Sequence, residues 1–254
     1  MDIRDRLYIS TVAGDCAEVA ARHGLGVELA QFCTAMNMDP PLFDEWDAKA
    51  RADMTGIARF TFHAAFNELC PAAIDPLVLD VARRRYAQSY ALMRSYGINR
   101  MIAHSGYVPL IYFKGFFVER SVEFWREFLS DKPDDFRLYL ENVLEDEPDT
   151  ICEIVERVDD ARLRLCLDIG HANTIVSDVP VAQWIERCAP LIGHVHIHNN
   201  YRDWDHHNEL GDGIIDMADA MRRLTAIESA PTFTIESLPC AGSVAWLERE
   251  GYLS

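Results

Sequence analysis

"HVHIHNNYRDWDHHNELGDG" (residues 194–213) holds five of the nine histidines of a 254-residue chain, with acids and amides between them. Alternate residues of a strand face one way, about 6.6 Å apart. The run "LIGHVHIHN" (191–199) therefore reads as a strand with His194, His196 and His198 on one face, and one ion cannot take all three. The expected division is His196 as a ligand near the strand's end, His194 deeper as a hydrogen-bonded core residue, and His198 at the start of the loop. Past the strand, Asp205 and His207 form a D-x-H pair before the turn "LGDG". A carboxylate and an imidazole so spaced can clasp one ion, and this oxygen and nitrogen mix suits zinc, manganese or iron.

Eight apolar or β-branched runs predict strands over 6–12, 24–32, 57–66, 99–107, 136–144, 163–172, 191–199 and 232–238. Between them lie helix-period stretches at 17–24, 76–97, 121–131, 149–160, 181–190, 214–229 and 243–253. The longest places Val78, Ala82, Tyr86, Tyr90 and Met93 on one face and stops at Gly97. Alternating strand and helix argue for an α/β fold with a parallel sheet, and eight units in about 250 residues argue that it closes into a (β/α)8 TIM barrel. An open doubly wound sheet is the alternative, but "TVAGDCAEVA" after the first strand lacks the spacing of a dinucleotide or phosphate loop. Without repeats, low-complexity tracts or a Pro/Ser linker, residues 1–254 read as a single domain.

Composition narrows the function. Apolar residues make up 49% and charged residues 26%, enough to bury a sizeable core. The charge of −17 would repel nucleic acid and anionic membranes, so neither is expected as a partner. No run of 18 uncharged apolar residues occurs, and the charged start "MDIRDRLYIS" is unlike a secretory signal, so the chain reads as cytoplasmic. Seven scattered cysteines with no C-x-x-C pair read as reduced, buried thiols.

Most predicted strands end, at the carboxyl side, in a metal-competent side chain: His63, His104, Glu141, Asp168 with His171, His196, and Glu236. Those ends share the rim on which barrel active sites are built. A buried unpaired carboxylate is expensive, so Glu141 in "LYLENV" and Glu236 in "FTIESL" each need a cation or strong donor. His206 reads as facing solvent or substrate, and His23 as a favourable cation at a helix C-terminus. Tyr107 and Trp204 lie on rim loops, where an aromatic can pack on a substrate or equally close the loop onto the barrel, and Lys114 and Arg202 are the first basic residues met after ligand-bearing strands.

The motifs "FTFHAAF", "MIAHSG", "YLENV", "CLDIGHAN", "HVHIHN", "DHHNELGDG" and "TIESL" resemble, in order over about residues 57 to 238, the xylose isomerase-like barrel superfamily. That superfamily includes apurinic endonuclease IV and many sugar or sugar-phosphate isomerases and epimerases. The resemblance implies a metal centre of Glu141, Asp168, His196 and Glu236. In the endonuclease-like pattern it further implies a second ion on His63 and His104, bridged by Glu141, and a third on His171, Asp205 and His207. One to three divalent ions per chain are therefore expected. The basic loops with which the endonuclease grips DNA are not evident.

Two chemistries follow. In an isomerase or epimerase, the ion polarises a sugar carbonyl, Glu141 and Glu236 remove and return a proton through an enediolate, and His171 and Arg202 orient hydroxyls. In a phosphoester hydrolase, clustered ions activate a water that Glu141 or Glu236 positions. The full ligand set favours the hydrolase, while the acidic balance and scarce rim cations favour a small sugar or sugar-phosphate substrate, and the isomerase reading is preferred. A metal-dependent binding module without turnover is a third class.

Overall fold

A computed structural model describes residues 2–253 of the chain. Strand and helix alternate strictly: β1 (Leu7–Ser10), α1 (Cys16–His23), β2 (Gly26–Leu29), α2 (Phe43–Asp53), β3 (Phe60–His63), α3 (Pro76–Ser95), β4 (Arg100–His104), α4 (Lys114–Leu129), β5 (Arg137–Glu141), α5 (Asp149–Val158), β6 (Leu163–Asp168), α6 (Val181–Cys188), β7 (Ile192–Ile197), α7 (Met217–Thr225), β8 (Thr232–Ile235) and α8 (Ala241–Arg249). The strands pair in parallel and in sequence order, and β8 returns to β1 to close a barrel. This is the (β/α)8 barrel that the alternation predicts.

All eight strands lie inside the predicted runs, and each is shorter than its run. The surplus residues belong to the turns that leave the barrel at its rim. Helix starts follow local chemistry: Asp75 accepts from the Leu77 amide just before Pro76, and Asp216 accepts from the Asp219 amide. For that reason α7 begins at Met217 rather than at 214. Helix α4 begins at Lys114, earlier than the predicted 121, and α2 has no counterpart in the predicted helices. Only Ala50 of α2 is buried, so this helix shows almost no apolar period.

Strand residues alternate between two environments. Leu138, Leu140, Leu165, Leu167, Val195, Ile197, Phe233 and Ile235 belong to the large apolar cluster shared with the helices. Their neighbours Tyr139 and Cys166 form a separate small cluster with Ile102 inside the barrel. The His194 ring on β7 stacks on Tyr139 of β5 and meets Tyr8 of β1 edge-on, contacts that cross the lumen. Among the described residues no helix is long and apolar enough to cross a membrane.

Candidate metal centre

The carboxyl ends of the strands deliver the site. His63, His104, Glu141 and Asp168 are the last residues of β3, β4, β5 and β6; His196 lies one from the end of β7, and Glu236 directly follows β8. The register sets His104 beside Glu141 and Asp168 beside His196. Asn142 locks two of these ends together, its amide donating to the Asp168 carbonyl and its oxygen accepting from the Asp168 amide. His171 sits on the turn after β6, where Gly170 is required: a Cβ there would lie 1.9 Å from the His198 ring. Asp205 and His207 ride on a loop pinned at its base by paired backbone bonds between Asn199 and Asn208. His207 itself adopts a left-handed conformation, φ 50°, uncommon for a residue with a side chain.

The expected ligands, with His198, fall into three adjoining groups whose ligand-type atoms lie within 4.8 Å of one another: His63, His104 and Glu141; Glu141, Asp168, His196 and Glu236; and His171, His198, Asp205 and His207; two further groups lie deeper, Glu28 with His63, His196 and Glu236, and Cys166 with His194 and His196. Glu141 belongs to two of them. One of its oxygens lies 3.1 Å from His63 Nε2 and 3.4 Å from His104 Nε2. The other lies 3.1 Å from His196 Nδ1, which is also 3.7 Å from Asp168 and 3.4 Å from Glu236. In the third group Asp205 Oδ2 lies 3.2 Å from His171 Nε2 and 3.0 Å from His207 Nε2.

The spacings and tautomers fit divalent ions. Ligand atoms around a tetrahedral ion with bonds of about 2.0–2.2 Å stand roughly 3.3–3.6 Å apart, close to these separations. His63, His171 and His207 each donate Nδ1–H to a backbone carbonyl, of Ala64, Asn142 and Glu236 respectively, so each turns its Nε2 into its group, where an ion would replace the proton. Asp205 Oδ1 and His198 Nδ1 are buried without a hydrogen-bond partner among the described residues. Three carboxylates packed round one imidazole are costly unless a cation neutralises them.

The electrostatics express the same demand. Burial pushes Glu141 upward, but the His196 and His104 imidazoles outweigh it and hold the carboxyl well below its ordinary range. Burial opposes a proton on His207, yet Asp205 raises it to about 9. His104, buried among other imidazoles, is pushed down to about 3.

A cavity of about 280 Å³ opens on the centre, lined by His63, His104, Glu141, His171, Asp205, His207 and Glu236 with Val12, Ala30, Cys33, Phe66 and Val143. Asp168 and His196 lie beneath it, fully buried. All nine ligands expected from the sequence are thus brought together. Of the expected substrate contacts, only His171 lines this cavity. Lys114 and Tyr107 line a separate rim cavity of about 840 Å³ with Leu110, Ile111, Phe113 and Ile175, and Lys114 is engaged by Asp146 and Glu147. Arg202 turns to Asp178 and the Ser177 carbonyl, and Trp204 stands 71% exposed.

Sequence reasoning missed three contributors. His198, expected only at the start of the loop, contacts Asp168 at 3.1 Å and joins the third group. Phe66 stacks on His104 with ring centres 3.9 Å apart. Glu28 on β2 is wholly buried beneath the centre, 3.2 Å from His196 Nε2. Its signal, a lone acid in the apolar run "GVELAQF", is the one that marks Glu141.

Comparison with known proteins agrees with this architecture. Protein MJ1311 of Methanocaldococcus jannaschii is 25% identical over 197 residues, covering 69% of this chain and 63% of that protein, so the match spans less than two thirds of the relative's length. A crystal structure of a D-tagatose 3-epimerase-like protein superimposes with a TM-score of 0.76 at 20% identity, covering 96% of both chains. The TTHB071 protein from Thermus thermophilus, soaked with ZnCl2, gives 0.73 at 20% identity over 97% of this chain and 98% of its own. The 3-keto-D-glucoside 4-epimerase of E. coli gives 0.71 at 14% over 96% and 99%. The family pattern of the xylose isomerase-like TIM barrel matches residues 17–249, and the chain belongs to that family.

Proposed function

We propose that this protein is a divalent-metal-dependent isomerase or epimerase of a small sugar, moving a proton through an enediolate. The observation that carries the reading is the convergence of Glu141 and Glu236, from β5 and β8, on one buried group with Asp168 and His196 beneath a small cavity that both glutamates line. An ion held by those four residues would supply a Lewis acid that polarises the substrate carbonyl and acidifies the neighbouring C–H. One glutamate would take the proton from that carbon; the other would return one to the same carbon from the opposite face, which inverts the centre, or to the former carbonyl carbon while the neighbouring hydroxyl gives up its proton, which moves the carbonyl. His171, which lines the cavity, would hold a substrate hydroxyl. The epimerase names of structural neighbours support the same class.

The surroundings favour an unphosphorylated sugar. Barrel enzymes commonly bind phosphate at the loops after strands 7 and 8 and a helix N-terminus there. Here the amides that open α8 are already engaged: Cys240 and Ala241 donate to Asp15, and Gly242 donates to Glu209. Two carboxylates on that turn would repel a phosphate, and no Lys or Arg lines the cavity.

A second reading, hydrolysis of a small phosphoester, is favoured by one observation: three adjoining ligand groups, where a single-ion isomerase needs one. Incubating the metal-loaded protein in D2O with a panel of free ketoses and aldoses separates the two. The isomerase reading expects carbon-bound deuterium in recovered sugar, and its absence across the panel, with phosphate release from p-nitrophenyl phosphate, would reverse the choice. Asp205→Ala should spare the first activity more than the second.

A further inference from the structure

Beneath the centre lies a polar chain that the proposed reaction does not use. Glu28 is wholly buried, and its Oε2 accepts from the hydroxyls of Thr61 on β3 and Thr234 on β8, each at 2.9 Å. Those bonds fix the carboxylate and turn Oε1 toward His196 Nε2 at 3.2 Å. Oε1 and Nε2 are both buried, and neither makes another hydrogen bond among the described residues, although Glu28 also lies within ligand distance of His63 and Glu236. The hydroxyl of Thr234 gives its hydrogen to Glu28 and therefore accepts one from His194 Nε2, 2.9 Å away. That leaves His194 as a donor to threonine and the carboxylate directed at His196. Cys166 also brings its sulfur near His194 and His196.

We propose that Glu28 is a positioning residue for the metal centre: it holds the Nε2 hydrogen of His196, fixes the ring, and thereby presents the Nδ1 lone pair to the ion shared with Glu141, Asp168 and Glu236. The inference rests on the metal-binding half of the proposed function and is independent of which reaction follows. A carboxylate behind a ligating imidazole raises its basicity and locks its tautomer, and losing such a partner typically weakens metal binding by about 10- to 100-fold. Thr61 and Thr234 act one step further out by holding the carboxylate in line.

The test is Zn2+ binding by chelator competition, without substrate, on the parent, Glu28→Gln, His196→Ala and the double variant, with circular dichroism to establish folding. Glu28→Gln should weaken one ion by about 10- to 100-fold, the same ion that His196→Ala removes. The double variant should bind no worse than His196→Ala alone, because Glu28 acts through that ring. Thr234→Val provides a milder perturbation should Glu28→Gln misfold, and it should weaken the same ion by a smaller factor. Long-range 1H–15N spectra of the zinc-loaded parent should show His196 protonated at Nε2, a pattern that a merely structural Glu28 would not control, and Glu28→Gln should broaden or shift it. Unchanged affinity in Glu28→Gln, or losses that add in full in the double variant, as for a direct ligand, overturns the proposal while leaving the reaction intact. A parent that takes up no zinc overturns both together.

Discussion

The two faces of the same strands differ in kind. Toward the helices, β5 to β8 present Leu138, Leu140, Leu165, Leu167, Val195, Ile197, Phe233 and Ile235, all fully buried hydrocarbon. Toward the lumen, the alternating residues Glu141, Asp168, His194, His196 and Thr234 are equally buried and almost entirely polar. Barrel interiors are usually filled by branched aliphatics, so this one gives up folding free energy. The outer layer supplies the transfer free energy that holds the cylinder closed, and the inner layer converts that rigidity into a fixed set of donors. One residue step along a strand separates a group that stabilises from a group that binds.

The sharpest break of this division is Glu236→Gln, which keeps the shape of the lumen and removes the acid. Turnover should fall by about 10²- to 10⁴-fold, with the thermal midpoint within a few degrees of the parent; near-parental turnover would take Glu236 out of the reaction. Phe233→Ala, on the outer face of β8, the strand that Glu236 follows, should behave in the opposite way. It should cost about 3–5 kcal/mol in denaturant unfolding while the folded fraction binds its full complement of zinc. A loss of ions in that variant would mean that the layers are not separable.

Smaller effects sharpen the contrast. Free zinc at a hundredfold excess over Kd should stabilise the metal-free protein by about 2.7 kcal/mol per site, read as a rise in the unfolding midpoint that EDTA reverses. Phe233→Ala should show the same increment, because the ion acts through the lumen alone. Smallest is a proton effect. With Asp205 beside it, His207 in the metal-free protein is held up to about 9, so at pH 7.5 its Nε2 carries a proton that an ion must displace. Zinc uptake should therefore release protons, seen as a buffer-dependent heat of binding, and affinity should fall as pH falls. Asp205→Ala should reduce that release.

Much of this was legible in the residues because both period and position were informative. Alternation in "LIGHVHIHN" and acids stranded in "LYLENV" and "FTIESL" marked strand ends that needed a cation, and eight strands with those ends on one rim left few topologies. Where period is absent, reading by period had nothing to follow. Helix α2 buries only Ala50 fully and packs Phe43 and Trp46 half-buried against the core, so its sequence carries little apolar period. Arg202 and Lys114 lie beside the right strands, but their direction is decided by acids on other loops, Asp178, Asp146 and Glu147, which spacing alone does not identify. Glu28 carried the right signal on a strand whose end held no histidine to draw the eye.

The double membership of Glu141 has a consequence for how the centre fills. Its two oxygens face different histidine sets, so a cation settling on either side withdraws charge from the other and fixes the shared carboxylate in place. Ions bound at both positions would therefore be coupled, cooperatively or competitively according to whether the ordering gained exceeds the charge lost, and the coupling would be reciprocal. Such a pair would load as one thermodynamic unit, with a joint isotherm in place of two separate ones.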